Sequence, residues 1–225
     1  GRDAQDEALR TGLEALALRR RCAEEDPASV VYQDGLQTEA NNVGYVLLRA
    51  GRVAEALDAT TTSREAGLLL ARQHGPASKW ARWTKLYATT HGRALAASGR
   101  HAEAVAMFEE AEGEWTRMQA ESPATANEFR RTWTAVQRGK SLAALGRRAD
   151  AVAVLQDAHA RFEGWRGDAA LKFSALLNGG EAALALHALQ PQAGWKPKAR
   201  QAYEAAAAIK PLTGEYAQAL ARARG

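Results

Sequence analysis

The chain has 225 residues, 46% hydrophobic and 25% charged, with a net charge of +4. It carries 52 alanines and 23 arginines but seven lysines and a single isoleucine, Ile209. Alanine, leucine, glutamate and arginine lose little rotamer freedom on a helix, whereas strands want β-branched and aromatic residues, so this composition argues against a parallel-sheet enzyme fold. The positive excess, with a pI near 9.4, is below that of a dedicated nucleic-acid binder. The one cysteine, Cys22, has no partner for an intrachain disulfide, which fits a reducing, cytoplasmic setting. No apolar run approaches the roughly 18 residues that span a bilayer, so no membrane partner is expected. The sequence opens on Gly1 rather than a methionine, which points to a processed chain or to the C-terminal part of a larger protein.

In chain order, residues 3–25 form an amphipathic helix that ends near Asp26-Pro27. Three segments then align, centred on Gly44 to Gly51, Gly92 to Gly99 and Gly139 to Gly146. Each reads G-x-x-L-x-x-x-G-R-x-A-[ED]-A, with periods of 48 residues (Gly44 to Gly92) and 47 residues (Gly92 to Gly139). The first glycine lies inside a helix, where it costs about 1 kcal/mol against alanine. Its recurrence implies a close approach of two helices. The second, seven residues on, suits a left-handed helix cap. The next helix starts almost at once, and its alanine (Ala56, Ala104, Ala151) lets it pack tightly on the first. Apolar residues follow at helical spacing, as in Ala104, Phe108, Ala111, Trp115 and Ala151, Leu155, Ala158, Phe162. Helices of about six turns fit 77–98 and 124–145, with breaks at Gly75-Pro76, Ser122-Pro123 and Gly164 to Gly167.

This pattern resembles the tetratricopeptide repeat family in its long-helix bacterial form. The family's small residue, glycine, leucine, alanine, aromatic and alanine positions are met by Ala88, Gly92, Leu95, Ala104, Phe108 and Ala111. They are met again by Ala135, Gly139, Leu142, Ala151, Leu155 and Ala158. The first repeat supplies Ala40, Gly44, Leu47 and Ala56, then departs with Thr60 and Ser63. A fourth repeat is split: Asn178, Gly180 and Ala183 fit its first helix, and Ala199, Tyr203, Ala206 and Pro211 its second. His187 replaces its turn glycine, and an insertion with Pro191, Gly194 and Pro197 lengthens the turn. The resemblance implies an all-α fold, a right-handed α-α superhelix of antiparallel helix pairs, as one solenoid over 1–225. Its parts are an incomplete repeat (3–25), repeats at 36–72, 77–120, 124–163 and 167–211, and a capping helix at 212–224.

Catalytic constellations are not legible in the sequence. Gly139-Lys140-Ser141 mimics the end of a phosphate-binding loop, but Thr134 stands where that loop needs glycine, and the segment is helical. The five histidines (His74, His91, His101, His159, His187) have no metal-ligand spacing. The clusters Arg19-Arg20-Arg21, Arg130-Arg131 and Arg147-Arg148 are interleaved with acids, as on a solvated surface rather than a nucleic-acid footprint. No catalytic residue, metal or cofactor is therefore expected.

In the family, the first helix of each repeat lines a concave groove. Carried over position by position, that resemblance implies one row of Asn41, Thr89, Val136 and Leu177 and a second row of Tyr45, Arg93, Lys140 and Glu181. Leu86 and Trp133 lie a turn earlier, with Arg82 and Phe129 further back. Phe129 and Trp133 either line the groove or fill gaps between helices. Trp80, Trp83, Trp115 and Trp165 read as packing residues, and Trp195 as a partner contact or a local lid. The implied function is a non-catalytic scaffold for a protein or peptide with an acidic group and an apolar anchor. The carboxylate clamp of some relatives does not fit, because Tyr45 stands where it needs asparagine. The other reading is a sensor or regulatory C-terminal domain of a bacterial signalling protein (Ser/Thr kinase, transcription regulator or caspase-like protease), binding a short peptide or small ligand.

Overall fold

The computed structural model describes residues 2–225, and the side chains of all of these except residues 2–6 and 8. Gly1, and any reading of it, lies outside the described residues. The described chain is all-α, in ten helices: α1 (Arg2–Glu25), α2 (Val30–Arg49), α3 (Val53–His74), α4 (Lys79–Ala97), α5 (His101–Glu121), α6 (Thr125–Ala144), α7 (Arg148–Glu163), α8 (Ala169–Leu189), α9 (Trp195–Ile209) and α10 (Gly214–Arg224). None of them is long and apolar enough to cross a membrane. Two compact units divide the chain, Gly1–Glu114 and Trp115–Gly225. In the first, α1 packs on α2, α2 on α3 and α3 on α4, and α2 also touches α4. In the second, α6 packs on α7, α7 on α8, α8 on α9 and α9 on α10, and α6 also touches α8. Consecutive helices in contact, with α2 also touching α4 and α6 also touching α8, fit a helical repeat.

Three turns are built identically. Gly51, Gly99 and Gly146 have φ of 74°, 83° and 74°, the left-handed region that a side chain disfavours. The amide after each glycine donates back to a leucine carbonyl: Arg52 to Leu47 at 3.0 Å, Arg100 to Leu95 at 2.9 Å and Arg147 to Leu142 at 3.0 Å. Each glycine amide donates to the carbonyl three residues before it, which completes a Schellman cap. The arginine then reaches forward into the next helix. Arg52 binds Glu55, Arg100 binds Glu103 and Arg147 binds Asp150, with Nε to carboxylate distances of 2.6, 2.7 and 2.8 Å. Those hydrogen bonds hold the Glu55 and Glu103 carboxyls below the usual carboxylate range. The G-R-x-A-[ED] string is thus a cap followed by a clip across the first turn of the following helix.

The in-helix glycines mark where paired helices meet. A Cβ added at Gly44 would lie 2.5 Å from Thr60 Cγ2, and one at Gly92 would lie 2.7 Å from the Phe108 ring. At Gly139 it would lie 2.6 Å from Leu155 Cγ, and at Gly180 2.8 Å from Tyr203 Cζ. One contact therefore recurs four times, and it fixes the register of the fourth repeat at Gly180 against Tyr203. The alanine one turn before each of these partners, Ala56, Ala104, Ala151 and Ala199, is fully buried. Phe108, Leu155 and Tyr203 are also fully buried, each contributing about 1.5–3 kcal/mol through area removed from water.

Two element boundaries differ from the sequence reading. The first repeat starts at Val30 rather than residue 36, because Ser29 caps α2, accepting from the Tyr32 amide at 3.4 Å. In the fourth repeat α8 runs past His187 to Leu189, and the Arg148 guanidinium donates to the Leu189 carbonyl. The turn then lies at Gln190 to Gly194, with Gly194 left-handed at φ 73°. Pro197 sits in the first turn of α9 rather than in the insertion, a position where its missing amide hydrogen leaves no helix bond unmade.

Two glycines of the same helical setting have opposite expectations. Gly92→Ala forces the Phe108 ring to move and lowers stability by about 1–3 kcal/mol. Gly113 lies in α5 with nothing within 4 Å of its added Cβ, so Gly113→Ala raises stability by about 0.5–1 kcal/mol. Urea unfolding of the two variants against the parent checks both signs. A neutral Gly92→Ala would show that the close approach is not structural.

Candidate functional site

The two candidate rows occupy different environments. Tyr45, Arg93, Lys140 and Glu181 each follow a packing glycine by one residue, and all are exposed or half-buried. Asn41, Thr89, Val136 and Leu177 lie four residues earlier on the same helices, and all are buried, between 0% and 9% exposed. Leu86 is buried too. Four residues advance a helix by about one turn plus 40°, enough to carry one row outward and the other into the helix layer. Val136 belongs to the core around Leu155 and Phe162, and Leu177 to the core around Tyr203. The implied inner row is therefore packing rather than an open surface, and five of the twelve implied groove residues are covered by their own fold.

The accessible row is already engaged in internal contacts. In the first unit the Arg93 guanidinium lies over the Tyr45 ring, 5.4 Å from its centroid. In the second, Lys140 Nζ meets Glu181 Oε1 at 2.5 Å. The implied basic group at Lys140 is thus neutralised by the residue at the same position of the next repeat. Arg82, further back on α4, has its Nε 3.5 Å from Glu114, and Lys85 Nζ is 3.8 Å from the other oxygen of that carboxylate. Glu114 is 3% exposed, so the charges of Arg82 and Lys85 compensate a buried anion. The sequence reading missed Glu114 because the apolar row of α5 runs Ala111 to Trp115, and the acid sits beside it.

The aromatic candidates divide as well. Phe129 meets Phe162 and Trp165 edge-on, with centroids 5.7 and 5.8 Å apart, and Trp133 packs on the same core. Both fill space between helices. Trp195 packs edge-on to the buried His159 at 5.3 Å, and its indole N–H donates to Gln190 at 3.2 Å, so it closes over the core of its own unit. Trp115 is buried, with the Arg130 guanidinium 5.5 Å above its ring. Trp80 lies 4.4 Å from His74, and Trp165 packs beside Phe129 and Phe162. Trp83 departs from the packing expectation: it is 43% exposed and stacks on Tyr87 at 5.6 Å.

The departures at Thr60 and Ser63 build a polar joint in the first unit. Where α5 carries Ala104, Phe108, Ala111 and Trp115, α3 carries Ala56, Thr60, Ser63 and Gly67. Thr60 donates to the Ala56 carbonyl at 2.9 Å and meets His91 Nδ1 at 3.0 Å. Ser63 donates to the Gln37 carbonyl at 2.7 Å, and the Gln37 side-chain amide donates to Thr84 at 2.9 Å. A Cβ at Gly67 would lie 2.2 Å from both Gln37 Nε2 and Thr84 Oγ1, so only glycine leaves room for that bond. Asn41, Thr60, Ser63, Arg64, Thr84 and His91 help enclose a small cavity there. Burial, and then the positive charges of Arg64 and Arg100, push the His91 imidazole down to about 4, against the opposing pull of Glu103.

His91 makes the fold acid-sensitive in a defined window. Its folded value of about 4 is below its ordinary 6.5, so the unfolded chain binds the proton first. Its contribution is complete above about pH 6.5 and is lost as pH falls toward 4. Between pH 7 and pH 5 the parent loses of order 1 kcal/mol through this group, after allowance for its partial exposure, and His91→Gln removes that difference. Urea midpoints of both chains at the two pH values measure it; equal slopes would remove His91 from the account.

Among the described residues no three His, Cys, Asp or Glu side chains are grouped so as to hold a metal ion. Compared with protein-family models and with curated proteins, the chain matches none.

Proposed function

We propose that this chain is a tetratricopeptide-type repeat protein, a right-handed superhelix of antiparallel helix pairs that binds a protein or peptide without catalysing a reaction on it. The observation that carries this reading is the fourfold recurrence of one contact, a helical glycine against the fifth residue of an A-x-x-x-[TFLY] helix start, at Gly44, Gly92, Gly139 and Gly180. Within each unit that contact repeats the same outward position, the residue after the glycine: Tyr45 and Arg93 in the first, Lys140 and Glu181 in the second. Binding by such arrays depends on rows of side chains rather than on a pocket, which suits an extended or helical ligand.

The partner read from these side chains carries an acidic group and an apolar anchor. Arg93 over Tyr45 joins a planar cation to an aromatic face, the residue types that dominate interface energetics. Lys140 is the second cation of the row, and its pairing with Glu181 sets what a ligand carboxylate must displace. Buried Asn41, Thr89, Val136, Leu177 and Leu86 act behind this surface by holding the helices that present it.

The test is an array of acidic peptides, each with one aromatic or leucine anchor, probed with the parent chain and with Arg93→Glu/Lys140→Glu. Hits on the parent weaken about tenfold or more in the double variant while far-UV circular dichroism stays unchanged. Affinities that do not move, or an array without hits, would sink the assignment.

A further inference from the structure

We infer that the cavity of the polar joint is a binding site for one internal water molecule, which ties α2 to α3. Size is the first argument. The cavity is small, with about 10 Å3 open to the centre of a water molecule, enough to admit one. Unspent hydrogen-bonding groups are the second. The side-chain oxygen Oδ1 of Asn41 and the Nη1 nitrogen of Arg64 are buried without a partner, and Asn41 as a whole is 9% exposed. Arg64 directs its other terminal nitrogen, Nη2, to Glu110 at 2.9 Å, so Nη1 is the donor left over.

Counting protons identifies the guest. The Thr60, Ser63 and Thr84 hydroxyls all spend their hydrogens on carbonyls, of Ala56, Gln37 and Trp80, at 2.9, 2.7 and 2.7 Å. Thr60 must then accept from His91, which places the ring hydrogen on Nδ1, and Thr84 accepts from Gln37. Among the lining residues, Asn41 Oδ1 keeps an unspent acceptor, Arg64 Nη1 an unspent donor and Ser63 Oγ a free lone pair. Water matches that set: it gives its two hydrogens to Asn41 and Ser63 and accepts from Arg64, the three bonds usual for a buried water. A halide has no hydrogen for the two oxygens, and a monovalent cation would meet the guanidinium. The polar replacements Thr60, Ser63 and Gly67 make a joint in which solvent is a structural part.

A crystal structure of the full chain tests this directly. Expected is a solvent peak within about 3.2 Å of Asn41 Oδ1, Ser63 Oγ and Arg64 Nη1, with no anomalous peak there after a bromide soak. Magnetic relaxation dispersion of water 17O in solution is expected to count one long-lived water fewer in Asn41→Leu than in the parent. Direct pairing of Arg64 with Asn41 in the crystal, a bromide peak in the cavity, or equal counts in a folded Asn41→Leu would each overturn the inference. The crystallographic arm uses the parent chain alone, so it decides the matter even where the variant fails to fold.

Discussion

The structure depends on one contact: a glycine backbone on the first helix of a pair pressed against a side chain of the second. Helices separated by ordinary side chains sit about 8–10 Å apart. Removing the Cβ lets a ring or branched chain sit directly on the backbone, as Phe108 does on Gly92 and Tyr203 on Gly180. Dispersion falls steeply with separation, so that approach gains contacts on every atom of the inserted side chain. It also fixes how far one helix slides along the other, since a one-residue slip would drive the side chain into a Cβ. The Schellman cap and the arginine clip after it become possible only because the second helix starts at a set place relative to the first.

The same scaffold carries two kinds of joint. Around Val136, Leu155 and Phe162 the helices of the second unit meet through aliphatic and aromatic groups, and the recurring row is filled by large apolar side chains. In the first unit the row loses volume at Thr60, Ser63 and Gly67, and Gln37, Thr84 and His91 occupy the space with directed bonds. Hydrogen bonds add modest net stability but penalise misalignment strongly, because a buried group left without its partner keeps its full desolvation penalty. The polar joint exchanges hydrophobic stabilisation for angular definition, and it is also where protonation acts.

Much of this was legible in the sequence because the repeat is written in residues with a single physical purpose. Left-handed turns at Gly51, Gly99 and Gly146 follow from spacing alone, as does the pairing of Gly92 with the helix of Phe108. The start of α2 was not legible, since Val30 and Val31 are weak helix formers and only the Ser29 cap marks them. The site was less legible than the fold. Rows one turn apart on a helix differ by about 40° of rotation, and composition does not say which side of a neighbour that rotation falls on. Glu181 opposite Lys140 and Glu114 beneath Arg82 come from other helices, so the neutralisation of those cations is invisible along the chain. The departures Thr60 and Ser63 were visible, but their meaning required His91 and Gln37 to be brought beside them.

The short turns have a mechanical consequence. Between α2 and α3, α4 and α5, and α6 and α7, three residues connect the helices, and the backbone bonds of the cap consume their freedom. Of the links between one helix pair and the next, Asp26 to Ser29, Gly75 to Ser78 and Gly164 to Asp168 are longer and Ser122 to Ala124 is equally short, while the α8–α9 hairpin turns through the five residues Gln190 to Gly194. Under tension along the chain, the three capped hairpins are the stiff pieces, and compliance gathers in the longer links. In the first unit the link at Gly75 to Ser78 is backed by the bonds of Thr60 to His91 and Gln37 to Thr84, and in the second the link at Gly164 to Asp168 is backed by the core of Phe162 and Trp165 and by His159 against the Gly179 carbonyl. A pull on the chain therefore loads directed hydrogen bonds at one joint and a largely apolar contact at the other.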